Sequence, residues 1–534
     1  MPAEPAGDTG AWAPLAQPMF RALWIAGLAS NLGTWMQNVG AAWLMTSLAP
    51  TPLLVSLVQA ASSLPFFLMA LPAGALADVV DRRRLLLGSL VWLVAASVAL
   101  GALALAGRVS PAGLLALTFA VGAGSAFLAP AFLAVVPELV PRAQIPAAVS
   151  LNSISMNLAR AAGPALGGLV VAAAGAGATF LLNAASFVAL MAVLFRWRRP
   201  PREGRLPPEG LWGAMRAGLR YVRHGRPLQI VLARLATFVL PASAVWALLP
   251  LYARADLGLG PTGYGLLLGF FGAGAVAGGV GLARLRARLG PQRVTTVAAL
   301  VFAAGMAALG AAPRLAVAAV ALAAAGAGWM ALLSTLNAAA QMTLPAWVRA
   351  RGLSVYLLVL FGGLALGSAG WGVLAETLGV PRAFLAAGAA VAVSRLFVWR
   401  LRLPEGEGPD LTPAPRRPAP EIARPFEPDR GPVLVTVEYA IDPGQAEPFA
   451  RAMRALGAIR RRDGAIRWGL WADAAQPGRY LESFVVESWL EHLRQHERIT
   501  AADRAVQRIA TAFHRDAEPP RVTHFIHERI PEDA

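Results

Sequence analysis

Between residues 20 and 400 the chain alternates long apolar runs with short polar breaks, and after that its pattern changes. Runs long enough to cross about 30 Å of hydrocarbon as a helix fall near 20–48, 53–77, 85–106, 112–136, 146–174 and 178–197. A second set falls near 228–252, 262–283, 294–312, 315–343, 352–378 and 381–400. The pattern predicts an all-α polytopic membrane protein of twelve transmembrane helices in two six-helix halves, 20–197 and 228–401.

Three segments break that pattern. Residues 1–19 read as a cytoplasmic N-terminal tail; with neither a basic start nor a continuous apolar core, they are not expected to be a signal peptide. Residues 198–227 read as a basic cytoplasmic loop in which Leu211, Met215, Leu219 and Val222 follow helical spacing, with Arg216, Arg220 and Arg223 on another side. That is an amphipathic helix, expected to lie on the inner leaflet as an anchor. Residues 402–431, rich in proline and charge, are expected to be a linker that packs against little.

Residues 432–534 have the periods of a soluble domain. A strand near 432–441 is followed by a helix with Phe449, Met453, Leu456 and Ile459 on one face. A hairpin of 466–473 and 479–488, helical segments and a last strand near 521–528 complete it. This order predicts a small cytoplasmic α+β ferredoxin-like domain.

Composition supports the membrane assignment: 57% of residues are hydrophobic, 14% are charged and mean hydropathy is +0.55. The net charge of +17 could suggest nucleic acid, but residues 432–534 hold 14 Arg against 15 acids. The basic excess therefore lies in the membrane part, where positive-inside loops explain it, and no nucleic-acid partner is expected. With no cysteine the chain forms neither disulfides nor thiolate metal sites, and no metal or cofactor is expected. Alternate loops carry Arg82–Arg84, Arg142, the basic run of 196–226, Arg284–Arg293, and Arg349 with Arg351; the others carry only Arg108, Arg254, Arg314 and Arg382. This asymmetry predicts both termini on the cytoplasmic side of the membrane.

An internal repeat appears at an offset of 204 residues: Pro141 matches Pro345, Ser150 matches Ser354, Gly163 matches Gly367 and Gly168 matches Gly372. The loop expected at 283–293 stands where a worn copy of the charged turn at 74–84 should be.

That turn, GALADVVDRRR, carries Gly74, Asp78, Asp81, Arg82, Arg83 and Arg84, and must join two spans on one membrane face. It resembles the signature between the second and third helices of the major facilitator superfamily, with Val79 and Asp81 departing from the family pattern. Gly163, Pro164, Gly167 and Gly168 form GPALGG, similar to the antiporter signature of exporting members, although Ala159 replaces a glycine. FRALWIAGLASNLGTWMQNVGAAWLM near the start and SFVVESWLEHLRQHERIT near the end resemble the enterobactin-exporter-like and macrolide-efflux-like bacterial branch. The final domain resembles the small dimeric monooxygenase-like fold.

The resemblance implies a secondary exporter of a small amphiphilic molecule such as a drug or siderophore. It would work by alternating access, with protons as the expected coupling ion and possible dimerisation through the last domain. It also implies that the first, fourth, seventh and tenth helices line a central cavity. Asn31, Thr34, Trp35 and Asn38, spaced by three and four, form a polar and aromatic stripe on the first helix; Asn337 and Gln341 are further candidates. Arg160, inside an apolar span, is costly unless it faces a cavity or partner, where it would serve anionic or polar cargo. Arg234 and Arg395 are expected to snorkel to the surface. Acids in the spans are confined to Asp78, Glu138 and Glu376 near helix ends, and Asp78 is expected to latch onto the start of the eleventh helix. His492 and His496 are expected on a solvated helix face. The contrasting possibility is that the last domain is a membrane-tethered monooxygenase.

Overall fold

A computed structural model describes residues 10–197, 211–403, 410–414, 427 and 429–528. They form two compact units, one of residues 1–211, 230–339 and 354–405, the other of 212–229, 340–353 and 406–534.

The first unit is helical. Its first half comprises α1 (Pro18–Leu48), α2 (Pro52–Val79), α3 (Arg82–Leu105), α4 (Pro111–Val135), α5 (Ile145–Ala174) and α6 (Ala176–Arg196). After α7 (Leu211–His224), the second half comprises α8 (Arg226–Ala242), α9 (Ala244–Leu251), α10 (Pro261–Ala311), α11 (Leu315–Met342), α12 (Arg349–Leu378) and α13 (Val380–Val398). Ten helices among the described residues are long and apolar enough to cross a membrane. Two turn residues set helix starts by side-chain capping: Thr51 accepts from Leu54 N–H, and Ser110 from Gly113 N–H.

Two boundaries differ from expectation. Asp81 Oδ1 accepts from Arg84 N–H at 3.0 Å, so the arginine triplet forms the first turn of α3 and the loop shrinks to Val80 and Asp81. The loop expected at 283–293 is helical up to Gly290, whose φ of 73° breaks α10 into two helices.

The repeat is visible in the packing. A Cβ on Gly163 would lie 2.6 Å from Trp35 Cβ on α1, and the matching Gly367 packs on Leu240 and Ser243 of the α8–α9 region. A Cβ on Gly168 would lie 2.6 Å from Pro261 O and 3.0 Å from Gly265 Cα on α10; the matching Gly372 packs on Ser56 and Leu53 of α2. In each half the first glycine meets the opening helical segment of its own half, and the second meets the other half. Small residues there let backbones approach closely where lipid provides no hydrophobic drive.

Arg234 and Arg395 do not snorkel. Arg234 is 1% exposed and donates to Leu401 O, Val398 O and Thr295 Oγ1. It meets the carbonyls at the end of α13, the negative end of that helix. Arg395, 7% exposed, donates to Thr237 Oγ1 and Ser394 Oγ.

The second unit contains a four-stranded antiparallel sheet in the order β2-β3-β1-β4, made of β1 (Val433–Ala440), β2 (Arg467–Ala472), β3 (Arg479–Val486) and β4 (Arg521–Ile526). Helix α14 (Ala446–Asp463) buries Phe449, Met453 and Leu456 against Val437 and Tyr439 of β1. Helices α15 (Trp489–Arg498) and α16 (Ala501–Thr511) precede β4, and Thr500 with Asp503 forms a capping box at α16. Part of the expected linker packs: Ala414 N–H donates to Ile499 O, and Ala501 N–H to Thr412 O.

Helix α7 is part of this unit too, and its arginines meet acids of the α+β domain. Arg216 pairs with Glu487 and Arg220 with Glu491, both at 2.8 Å. Glu491 also binds Arg498 at 2.6 Å. The Arg462 guanidinium lies 5.5 Å from the Tyr221 ring, and that of Arg498 4.8 Å from the Trp347 ring. Tyr221 Oη donates to Thr343 O at 2.8 Å. The expected lipid anchor therefore presents Arg216 and Arg220 to carboxylates, and burial pushes the Tyr221 phenol up to about 12.

Candidate functional site

Within the first unit, aromatic side chains from both halves converge. Trp35 of α1 lies 6.1 Å from Trp246 of α9. Trp246 lies 5.0 Å from Phe271 of α10 and 6.0 Å from Trp329 of α11, and Trp329 continues to Phe238 and Phe302. The Trp246 indole Nε1 is buried and makes no hydrogen bond among the described residues. An unpaired buried donor is costly, so it is suited to an acceptor brought by a ligand.

The expected stripe on α1 is only partly assembled. Asn31 Nδ2 donates to Ser155 Oγ of α5 at 3.5 Å, and Trp35 meets Gly163 and Trp246. Thr34 turns its hydroxyl back to Ser30 O, and Asn38 is exposed. Asn337 is half-buried on α11, while Gln341 is exposed and belongs to the second unit. Gln37, absent from the expected stripe, is buried and accepts from Asn183 at 2.6 Å and Ser97 at 3.2 Å, tying α1 to α6 and α3.

Arg160 is half-buried on α5 and makes no hydrogen bond or ion pair among the described residues. With about 100° of turn per residue, its direction falls between two contact stripes on α5. Gly163 and Gly167 face α1, and a Cβ on the latter would lie 2.9 Å from Met36 Cα. Ala161 and Gly168 face α10 at Gly272 and Gly265. The Cα–Cβ bond of Arg160 is thus directed between the stripe facing α1 of one half and the stripe facing α10 of the other.

Of the charged-turn motif, Gly74 and Asp78 fall in the last turns of α2 and their surroundings lie outside the described residues. Arg82 pairs with Glu138 at 2.7 Å, and Arg83 donates to Leu194 O and Phe195 O, capping the end of α6. Pro164 is buried in α5, and its carbonyl faces Gly265.

The halves also meet where α1 ends: Arg254 donates to Thr46 Oγ1 at 3.0 Å and Ser47 Oγ at 2.6 Å, and Trp43 stacks on Tyr264 at 6.1 Å.

In the second unit, a cavity of about 600 Å³ lies against the sheet, lined in part by Val437, Tyr439, Arg460, His492, His496 and His524. His492 is 2% exposed, not solvated as expected, because α15 turns it toward the sheet. Its Nε2 lies 3.2 Å from His496 Nε2. Burial, reinforced by His496, His524 and Arg460 and opposed by Gln495, pushes its imidazole down to about 3. Among the described residues no group of three or more His, Cys, Asp or Glu is placed to hold a metal ion.

Two helical halves, with ten helices among the described residues long and apolar enough to cross a membrane, define a multi-pass membrane protein. Comparison with known proteins narrows the class. The family model described as transmembrane secretion effector matches residues 9–532, and the chain belongs to that family of major facilitator transporters. It is 28% identical to the staphyloferrin A transporter of Staphylococcus aureus over 165 residues, covering 30% of this chain and 42% of that protein, under half its length. It is 28% identical over 291 residues to the multidrug efflux pump Tap of Mycobacterium tuberculosis, covering 52% of this chain and 67% of the relative. The crystal structure of a bacterial homolog of the human lysosomal transporter Spinster, inward-facing and occupied, superposes with a TM-score of 0.59 at 14% identity. That superposition covers 73% of this chain and 97% of the other, and it speaks to fold alone.

Proposed function

We propose that the protein is a secondary exporter with twelve spans and both termini cytoplasmic, moving a small amphiphilic molecule outward by alternating access. The observation that carries this reading is the contact of Trp35 with Trp246 between the halves. Such a centre can be exposed to either side when the halves rock. In the proposed orientation, Arg254 with Thr46 and Ser47 lies at the outer end, a contact that suits a state closed to the outside. The efflux pump and siderophore transporter among the relatives support export of a drug or siderophore. Protons are the proposed driving ion. Uptake into inverted vesicles, with and without a proton gradient, tests direction and coupling together.

The second unit supports a ferredoxin-like module built onto transporter segments, because α14 and the α15–α16 pair alternate with strands ordered β2-β3-β1-β4. Its ion pairs with α7 favour a regulatory or dimerising role over a loosely tethered enzyme. The cavity beside His492 is what keeps the enzymatic reading open. Oxygen consumption by the full chain with aromatic substrates would establish the enzyme; vesicle transport that survives removal of residues 432–534 would favour the carrier.

A further inference from the structure

We infer that the central site selects anionic cargo: a molecule with a carboxylate or comparable anionic group that docks on Arg160 while its apolar or aromatic body lies against Trp35 and Trp246. The inference rests on the transporter reading and names the chemical class of substrate it takes.

Three observations carry it. First, Arg160 sits on α5 with its Cα–Cβ bond directed between the α1 and α10 stripes, and its backbone neighbours on both sides touch the aromatic centre. Gly163, one turn along α5, touches Trp35. A Cβ on Gly272 would lie 3.0 Å from Arg160 O, and the adjacent Phe271 lies 5.0 Å from Trp246. Second, among the described residues this guanidinium has no counterion. The acids near the membrane helices, Asp78, Asp81, Glu138, Asp256 and Glu376, all lie at or near helix ends, and Glu138 is engaged with Arg82. A charge drawn partly out of water is ordinarily paired, and a half-buried one without a partner attracts an anion and repels a cation. Third, the unpaired polar atom of the aromatic centre, Trp246 Nε1, is also a donor. A guanidinium and an indole N–H together suit the oxygens of an anion, and neither can accept from an ammonium group. The aromatic faces alone would welcome cations; the fixed charge of Arg160 decides against them.

The test uses two dyes that share a xanthene body and differ in charge: anionic carboxyfluorescein and cationic rhodamine 123. The full chain is held in lipid nanodiscs, and binding is read by fluorescence anisotropy. Carboxyfluorescein is expected to bind at least about tenfold more tightly than rhodamine 123. Arg160→Leu should weaken carboxyfluorescein by about tenfold or more while sparing rhodamine 123, and Arg160→Lys should stay within about threefold of wild type. Equal binding of the two dyes, no binding of carboxyfluorescein, or unchanged carboxyfluorescein affinity in a folded Arg160→Leu protein would overturn the inference. The same dyes are then offered to inverted vesicles. Charge-selective binding without uptake would sink the exporter reading and leave the anion site standing.

Discussion

The indole of Trp35, in the first half, packs 6.1 Å from that of Trp246, in the second, and the Trp246 N–H has no acceptor among the described residues. Trp246→Phe removes the donor and leaves a smaller aromatic ring at the same place. A hydrogen bond gained from cargo is worth roughly 1 kcal/mol, so cargo affinity should fall about five- to tenfold with the folded yield unchanged. Cargo titration of purified protein checks this, and unchanged affinity would remove Trp246 from the site.

Gly168 and Gly372 leave no room for a side chain where each meets the opposite half. A Cβ on Gly168 falls 2.6 Å from Pro261 O, so Gly168→Val should hold the halves apart there at a cost of about 1–3 kcal/mol. Because the chain has no cysteine, Ser47→Cys supplies a lone reporter at the same end of the bundle. Thiol labelling at that position should quicken in the Gly168→Val background, and Gly372→Val should act in the same direction. Unaltered labelling in both would contradict the repeat-related contacts.

Most of the fold was legible because apolar runs, capping residues and glycine spacing are local signals. The helix ends lie within a few residues of the predicted runs except where Asp81 caps α3 and Gly290 breaks α10. The repeat was legible because close backbone approach demands glycine at the same place twice. The site was only half legible. Trp246, Phe271 and Trp329 sit in helices so uniformly apolar that no period sets them apart, and Gln37 finds Asn183 across 146 residues. Arg234 misled because two of its three partners are backbone carbonyls, which no residue pattern records. His492 misled because a histidine pair at helical spacing looks the same on a solvated face and a buried one.

The α+β domain should respond to acid through His492. Its folded-state pKa is depressed to about 3, while the unfolded imidazole titrates near about 6.5. For a base held neutral by folding, stability is fully present above the unfolded pKa and is lost as pH falls through it toward the folded value. The expected slope is about 1 kcal/mol per pH unit between roughly 6 and 4. Hydrogen exchange of β1 in the full chain should show that slope in wild type and a shallower one in His492→Gln. Parallel slopes would mean that the imidazole is not held neutral.

Arg220 and Glu491 should be energetically coupled, since both are mostly buried and 2.8 Å apart. Arg220→Ala and Glu491→Ala should each loosen the second unit by about 1–3 kcal/mol, and the double variant should cost less than their sum. Additive losses would argue that α7 is not held by this pair.

Directional transport is the central claim, and inverted vesicles test it most directly. With an imposed proton gradient, acid inside, vesicles carrying the wild-type chain should accumulate carboxyfluorescein. Collapse of the gradient should abolish accumulation, and Arg160→Leu should reduce it by about tenfold. Accumulation equal to that of vesicles lacking the protein, for this dye and for a panel of drugs and siderophores, would contradict the exporter account.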